Sequence, residues 1–595
     1  MNSIKNKLLI SIFPVLVVFW GIFMLTIFDP FYSKSSDPEF PYLVNGLNCA
    51  QLKFNYIGHI DHPGTPFQVY NGIIIRMTHL VSGKADIVQD VFTRPEHYLN
   101  TIAMSLFLLQ AFLIFWIGLL GIRRKIPFWQ IAFLQAGFLF NEVILWLFCR
   151  VNPDFFFMVT GLIFILIYLK HGHENRSPLK FALWSGTVMA LGLATKFNFL
   201  PLLFLPLLFI ETNKNRLIYA GSGIISFFIF ISPIIDKFKE YRKFVMSIFQ
   251  HDGLYGGGES KVLNFRKMME STKEIFSLNP ELLLIVLALI VMIVIAIRKR
   301  KEGYKKYIFW FAGFLFIIAI QIIMVSKHFK NYYLAPTFMM YGFMFFISSM
   351  FWAELMKKRN LIVLTSSFLP VLFILITLGK SKHSLTAIEV RIDQREKIRS
   401  FVDTQISKDD FWFVEPTWES GPYVENALVY GLSYCGHRDQ YAPQLRLINP
   451  NIITYEGNPN EVKLWRCAPA SLDSVVATRK NIYLYSTPGR NANILIQMLQ
   501  HSAEQKGFQL LVEIVFSDPD TKNEILRAKA IDPDPNSPTR IQFNGERQKK
   551  IEGYIQSIKS TPEWLEKVRQ KAILKNISLD SMILLDAIWM IENQK

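Results

Sequence analysis

Apolar residues are grouped in long charge-free runs over the first two thirds of the chain, and such runs are almost absent from the last third. A membrane-spanning helix needs about 20 apolar residues, or somewhat fewer where other helices surround it. Runs of about 14 residues or more therefore predict an α-helical polytopic membrane protein with about 11 spans. The predicted spans are residues 8–28, 101–121, 128–141, 153–169, 179–195, 197–210, 217–235, 282–297, 308–325, 334–351 and 361–378.

The rest of the chain has the composition of a water-soluble protein, so the pattern predicts two domains, residues 1–380 and residues 381–595. Short runs rich in aromatic and branched residues indicate strands, and periodic apolar positions indicate helices between and after them. The predicted elements are strands at 411–414, 481–485 and 510–516, a helix at 492–501 and a helical tail at 547–593. We expect a C-terminal extracytoplasmic α/β domain.

Basic residues set the predicted orientation of the spans. The chain has a formal net charge of +17, and many of its Lys and Arg residues form short clusters between apolar runs, where they orient helices toward the cytoplasm. This distribution indicates that the basic residues interact with membrane lipid, and it argues against nucleic acid as a binding partner. The N-terminus is then cytoplasmic, and the loops 29–98 and 236–280 face outward with the C-terminal domain. We expect a bacterial-type inner (plasma) membrane.

Chemically useful residues gather in the loops predicted to face outward. Asp37 and Glu39 follow the first span, and Asp61 and His62 lie later in the same loop. Acidic groups next to lipid are costly unless they are solvated or used, so solvation of a loop and a catalytic role are both open for this pair. Other outward candidates are Arg150, Asp154, Lys196, His251, Tyr255, Lys327, His328, Lys330 and Tyr332.

The order of these elements resembles the glycosyltransferase C superfamily, especially its protein O-mannosyltransferase and aminoarabinose lipid A transferase members. The resemblance covers about residues 1–380. It rests on the acidic pair, Asp61-His62-Pro63-Gly64, Asn152-Pro153-Asp154, Thr195-Lys196 and the basic aromatic segment 327–336. The family commonly has adjacent carboxylates in the first loop, whereas Pro38 separates Asp37 from Glu39 here.

The resemblance implies an integral membrane inverting glycosyltransferase that moves a sugar from a polyprenyl-phosphate-linked donor to a lipid, glycan or protein acceptor at the outer face. A carboxylate would take the proton of the acceptor hydroxyl; we favour Asp37, with Glu39 as the alternative. Cations would stabilise the leaving phosphate. The residues expected to bind substrate are Asp61, His62, Arg150, Asp154, Lys196, His251, Tyr255, Lys327, His328, Lys330 and Tyr332.

Two other functions stay open. A polysaccharide polymerase or ligase would use a lipid-linked oligosaccharide, and a lipid or glycan transporter would need polar groups near the midplane of several spans. No phosphate-binding P-loop or dinucleotide fingerprint occurs, which fits a lipid-linked donor better than ATP-driven transport. We expect no required cofactor and assign no metal ligands, although His62 leaves a divalent metal ion as an alternative.

Overall fold

The computed structural model describes residues 2–28, 30–33, 37–61, 64–148, 150–251, 253, 257, 264–299, 302–414, 421–455, 462–487, 492–533, 545–575, 579, 582–583, 586–587 and 590. The chain forms two compact units. Residues 1–405 with 415–450 make up the membrane unit, and residues 406–414 with 451–595 make up the sheet unit. This division differs from the predicted boundary at residue 380, because one helix continues to Gln405 and a later segment folds with the membrane unit.

Helices are the main elements of the described part of the membrane unit. Its helices are α1 (Asn2–Phe28), α2 (Glu39–Ala50), α3 (Thr65–Ser82), α4 (Ile87–Thr93), α5 (Pro95–Arg123), α6 (Phe128–Gln135), α7 (Glu142–Leu147), α8 (Pro153–Ile167), α9 (Pro178–Thr195), α10 (Asn213–Ile231), α11 (Phe238–Gln250), α12 (Phe265–Leu278), α13 (Pro280–Lys299), α14 (Lys305–Ser326), α15 (Ala335–Phe338), α16 (Tyr341–Leu355), α17 (Arg359–Gln405), α18 (Val424–Ser433) and α19 (Ala442–Ile448).

Among the described residues, eight helical segments are long and apolar enough to cross a membrane. They are Lys7–Ile27, Pro95–Arg123, Pro153–Asn175, Asn213–Gln250, Pro280–Lys299, Lys305–Ser326, Asn331–Leu355 and Arg359–Thr386. The protein is therefore a multi-pass membrane protein, and its polytopic helical fold agrees with the prediction. The number of 11 spans stays a prediction.

Three of the predicted spans are not among these eight segments. Residues 128–141 are divided between the short helix α6 and a 3-10 turn, and residues 179–195 form α9, which is 18 residues long. Residues 197–210 form 3-10 helices that contain Pro201 and Pro206. A proline removes a backbone donor and clashes with the preceding turn, which explains why no continuous α-helix forms there.

Helix α2 begins with Glu39, the second residue of the acidic pair, and every one of its residues is buried. It crosses α3 closely, because Gly46 and Gly72 leave no side chain between the two backbones. A Cβ atom on Gly72 would lie 2.6 Å from Cys49 Cβ and 3.0 Å from the carbonyl oxygen of Gly46. Just before α2, the carboxylate of Glu96 in α5 accepts the N–H groups of Phe31 and Tyr32. These contacts hold the segment between α1 and α5 against the ends of neighbouring helices.

The sheet unit contains a seven-stranded mixed sheet, as the α/β prediction requires. Its strand order is β4-β3-β2-β1-β5-β7-β6. The strands are β1 (Phe411–Val414), β2 (Ile452–Tyr455), β3 (Val462–Leu464), β4 (Ala468–Pro469), β5 (Ile482–Ser486), β6 (Gln509–Ser517) and β7 (Glu524–Ile531). Strand β1 pairs in parallel with β2 and β5, and the other pairs are antiparallel. A fully apolar strand such as β1 is typical of a sheet centre.

Helices complete the sheet unit. Helix α20 (Leu472–Ala477) and helix α21 (Asn493–Gln505) pack with the core of the sheet, to which Leu495, Ile496 and Leu499 contribute. Helices α22 (Gly545–Ser560) and α23 (Pro562–Lys575) form a separate cluster around Ile558 and Val568. The predicted strands and the helix after β5 are thus present, and the predicted tail is helical up to Lys575, while most of its later residues lie outside the described part of the chain.

The α2–α3 crossing yields a stability prediction. We expect Gly72→Ala to lower the free energy of unfolding by about 1–3 kcal/mol, because the new Cβ overlaps the Cys49 side chain and the α2 backbone. The matched control is Gly221→Ala in α10, where a Cβ meets nothing within 4 Å. Thermal unfolding of both purified variants in detergent tests this expectation, and equal midpoints would contradict it.

Candidate active site

The carboxylates of Asp37 and Glu39 lie at the N-terminus of α2. The carbonyl of Pro38 accepts the N–H of Tyr42 at 3.1 Å, so the helix begins at Glu39. The Glu39 side chain is 1% exposed and forms an ion pair with Arg150, whose Nη2 lies 3.0 Å from Glu39 Oε2. The same nitrogen donates to the backbone carbonyl of Asp37 at 2.5 Å. Arg150 therefore connects both acidic residues to the turn between α7 and α8.

The two carboxylates have different environments. The Asp37 side chain is partly exposed, and its pKa is raised to about 6, chiefly by burial and then by the neighbouring charge of Glu39. The positive charges of Arg150 and Lys196 oppose this shift. A raised pKa makes Asp37 a better proton acceptor than an ordinary aspartate. Glu39 is instead held in its ion pair.

A second ion pair lies in the same electrostatic neighbourhood. Lys196 Nζ is 2.6 Å from Asp154 Oδ2, and both side chains are almost completely buried. Asp154 is in the first turn of α8, which Asn152 caps by accepting the N–H of Phe155 at 2.8 Å. Lys196 directly follows α9. Because a buried charge must be paired, this bond joins the beginning of α8 to the end of α9.

Two tyrosines surround the ammonium group of Lys196. Its Nζ lies 5.2 Å from the ring centre of Tyr332 and 4.8 Å from that of Tyr333, within the range of cation–π attraction. The carbonyl of Tyr333 accepts hydrogen bonds from Asn198 and Gln321 at 3.1 and 3.0 Å. The segment of Tyr332 and Tyr333 and the beginning of α8 thus contact the same cation.

Four aromatic residues at this site were missed as site residues in the sequence analysis: Tyr42, His59, Tyr333 and Tyr434. The His59 ring lies 5.0 Å from Tyr42 and 4.8 Å from Tyr434. Burial, followed by the charge of Lys196, lowers the pKa of His59 to about 4, so its imidazole is neutral at physiological pH. Tyr42 and Tyr333 stand within the segments that suggested the family, which was a usable signal, whereas nothing local marked His59 or Tyr434.

The hydroxyl of Tyr42 is buried beside the carboxylates. Burial and then the charges of Asp154, Asp37 and Asp61 raise the pKa of Tyr42 well above its usual value. Within the described part of the chain, neither this hydroxyl nor Asp154 Oδ1 has a hydrogen-bond partner. A buried polar atom without a partner costs stability, so its presence requires an explanation.

Of the other predicted residues, Asp61 is close enough for its charge to raise the pKa of Tyr42. Burial raises the pKa of Asp61 itself. Lys327 donates to the carbonyls of Ile248 and Phe249 at 3.0 and 2.9 Å, at the end of α11.

Three further predicted residues lie along the same outer segments. His328 packs against the ring of Tyr333 at 5.8 Å, Lys330 is exposed, and the His251 ring is 3.2 Å from the carbonyl of Ser247. Burial and the charges of Lys330 and Lys267 lower the pKa of His328. His62 and Tyr255 fall outside the described residues.

The site combines carboxylates with cations and has no recognisable metal centre in the described part of the chain. No group of three or more His, Cys, Asp or Glu side chains there could hold a metal ion. Arg150, Lys196 and Asp37 together form a site in which a carboxyl of raised pKa lies near positive charge.

Comparison with known proteins finds a matching family model for part of the chain. Residues 95–326 match the model of glycosyltransferase family 87. This match supports a glycosyltransferase. The matched segment contains Arg150, Asp154 and Lys196, and it begins after Asp37 and Glu39.

Other comparisons add two findings on this glycosyltransferase. No curated protein sequence matches it. Among solved structures, the crystal structure of ArnT from Cupriavidus metallidurans bound to undecaprenyl phosphate is similar, with 12% sequence identity and a TM-score of 0.43. That similarity covers 86% of this chain and 97% of the ArnT chain.

The raised pKa of Asp37 predicts the pH dependence of transfer. As pH falls through about 6, Asp37 takes up a proton and can no longer accept one, so kcat/KM should fall about tenfold per pH unit below that midpoint. Initial rates between pH 4.5 and 8, measured in membranes, give the profile. A profile that stays flat down to pH 5 would exclude Asp37 as the base at this pKa.

Tyr42 yields a prediction that separates function from stability. We expect Tyr42→Phe to leave the free energy of unfolding unchanged or slightly higher, because the removed hydroxyl has no partner in the described protein. If that hydroxyl binds substrate, kcat/KM should fall about tenfold or more.

The control is Tyr219→Phe, which removes a hydroxyl that donates to the carbonyl of Leu203 at 2.6 Å. This control should lose about 1 kcal/mol of stability and keep its activity. Thermal unfolding and transfer rates of the two variants give the comparison. A fully active Tyr42→Phe enzyme would show that the hydroxyl has no part in transfer.

Proposed function

We propose that this glycosyltransferase transfers a sugar from a polyprenyl-phosphate-linked donor to a hydroxyl of a lipid, glycan or protein acceptor, with inversion at the anomeric carbon. The observation that carries the proposal is the position of Asp37, a carboxylate of raised pKa beside Arg150 and Lys196 at the ends of apolar spans. A donor whose phosphate is attached to a membrane lipid holds its sugar near the ends of the spans, where Asp37 lies. A water-soluble nucleotide sugar would not need such a position.

The reaction is a single displacement. An Asp37 oxygen accepts the proton of the acceptor hydroxyl while the acceptor oxygen forms a bond to the anomeric carbon. The bond from that carbon to the phosphate oxygen breaks, and its electron pair leaves with the phosphate. One displacement at carbon inverts its configuration. Glu39 holds Arg150 in place and does not serve as the base.

The leaving phosphate needs positive charge and no general acid, because it departs as a stable anion. Arg150 and Lys196 supply this charge, and Lys196 is almost completely buried, where an electrostatic interaction is stronger than in bulk solvent. Tyr332 and Tyr333 keep the Lys196 ammonium in position. The neutral imidazole of His59 adds no competing charge. We infer that no cofactor is required.

The reaction is proposed for the outer face of a bacterial-type plasma membrane, with the N-terminus in the cytoplasm. Support comes from the basic clusters, such as residues 123–125, 298–301 and 357–359, which lie at the opposite ends of the spans from Asp37 along the chain. Asp37, Arg150, Lys196 and Tyr332 all fall in loops of the other side. The reactive residues are therefore on the side with fewer basic clusters.

The donor class is tested with membranes that contain the protein and a panel of radiolabelled polyprenyl-phosphate sugars. We expect turnover of at least one donor, and a loss of about 100-fold or more with Asp37→Asn, because the amide cannot accept the proton. Asp236→Asn is the matched control, since Asp236 is exposed in the 3-10 helix after α10.

Each outcome of this experiment decides a different point. Turnover that survives Asp37→Asn would remove Asp37 as the base and leave the donor class intact. Turnover only with a lipid-linked oligosaccharide would instead support the polymerase or ligase function. No turnover with any donor, while the protein folds normally, would refute the proposed function.

A further inference from the structure

Residues 421–450, the return segment, follow the first strand of the sheet unit in the chain but fold with the membrane unit. They contain α18 and α19. We propose that the return segment positions the carboxylates of α2, and that Gly431 and Tyr441 are its positioning residues. This inference rests on the proposed function of Asp37.

The first observation is a polar stripe on α2. Asn45, Asn48 and Gln51 recur at every third position, so they share one face of the helix and its end. This face is covered by the return segment. Asn45 Nδ2 donates to the carbonyl of Tyr434 at 3.1 Å. The Tyr441 hydroxyl donates to Asn48 Oδ1 at 2.5 Å and accepts from Gln51 Nε2 at 3.0 Å.

The second observation is a close approach at the beginning of α2. A Cβ atom on Gly431 would lie 2.7 Å from the carbonyl oxygen of Phe40 and 2.9 Å from its carbon. Real Cβ atoms do not come this close to backbone, so the α18 backbone is in direct contact with the residue that follows Glu39. Glycine is what allows this contact.

The return segment also holds the chain that leaves α2. The N–H of Gly436 donates to the carbonyl of Tyr56 at 2.9 Å, and Ile57 forms a β-bridge with Cys435. Asn45 accepts the N–H of Gly58 at 3.0 Å, so one side chain of α2 contacts both segments. The beginning of α2, its end and the residues after it are thus bonded to residues almost 400 positions later.

This arrangement matters for transfer because Asp37 and Glu39 precede and begin the first turn of α2, against Arg150. Helices α3 and α18 both pack against α2. A shift of several tenths of an ångström in the first turn would change the distance from Asp37 to a bound acceptor. Misplacement of about 1 Å can cost 100-fold in rate.

The test uses Gly431→Ala and Tyr441→Phe in the full-length protein, with Gly221→Ala as the control in a helix without a nearby neighbour. Alanine favours a helix more than glycine does, so α18 itself is not weakened. We expect Gly431→Ala to lower kcat about tenfold or more, with the donor KM within about twofold. The pH midpoint assigned to Asp37 should shift as well.

Tyr441→Phe keeps the ring and removes one hydroxyl, so it should change kcat in the same direction by a smaller factor. Unchanged kcat and pH midpoint in a folded Gly431→Ala enzyme would overturn the proposal. If Gly431→Ala does not fold, full activity of Tyr441→Phe with an unchanged pH midpoint would overturn it equally.

A readout without substrate separates this proposal from the proposed function. Hydrogen exchange at the amides of Tyr42 and Leu43 should be faster in Gly431→Ala than in the unaltered protein or Gly221→Ala. Faster exchange with no turnover of any donor would support the positioning contact and refute the donor class. Equal exchange in all three proteins would refute the positioning contact whatever the activity.

Discussion

Charge that is removed from water must be paired, and this constraint organises the part of the membrane unit around Asp37. Glu39, Asp154 and Lys196 are 1%, 2% and 4% exposed. Removing one partner from a buried pair costs about 3–5 kcal/mol, since the other charge is then left alone. Glu39 therefore requires Arg150, and Asp154 requires Lys196. Because the paired residues are far apart in sequence, the two bonds fix α2, the beginning of α8 and the end of α9 relative to one another.

The same constraint gives two similar carboxylates different properties. Asp37 and Glu39 are separated by one proline, and local sequence does not distinguish their chemistry. Arg150 binds the Glu39 carboxylate but bonds Asp37 through its backbone carbonyl. Burial and the negative charge of Glu39 therefore raise the pKa of the Asp37 carboxyl by more than the cations lower it. Environment assigns roles to paired carboxylates in this way in other enzymes too.

Sequence pattern predicted those features that depend on local composition. Apolar length and charge located the spans at 282–297 and 308–325, which correspond to α13 and α14, and the run at 411–414 is β1. Alternation of loops across the membrane also brought Asp37, Arg150, Asp154, Lys196 and Tyr332 to one side, where the structure finds them close together.

The sequence pattern was less informative for features that depend on contacts between residues distant in sequence. The chain at 197–210 is apolar enough to span, but Pro201 and Pro206 break the helix. His59 gains its lowered pKa from burial and from Lys196, which is distant in sequence. Neither property can be read from neighbouring residues.

The return segment is the clearest example of a feature that local pattern does not predict. Its position depends on the polar face of α2. A helix buried on all sides with Asn45, Asn48 and Gln51 on one face cannot be covered by lipid, which offers no hydrogen bonds. It needs protein with polar groups at matching positions, and Tyr434 and Tyr441 provide them. Such a segment is too short and too polar to resemble a span, so hydropathy assigns it to the soluble domain. Its place in the membrane unit follows from the unsatisfied face of α2, which becomes visible only when the helix is known to be buried.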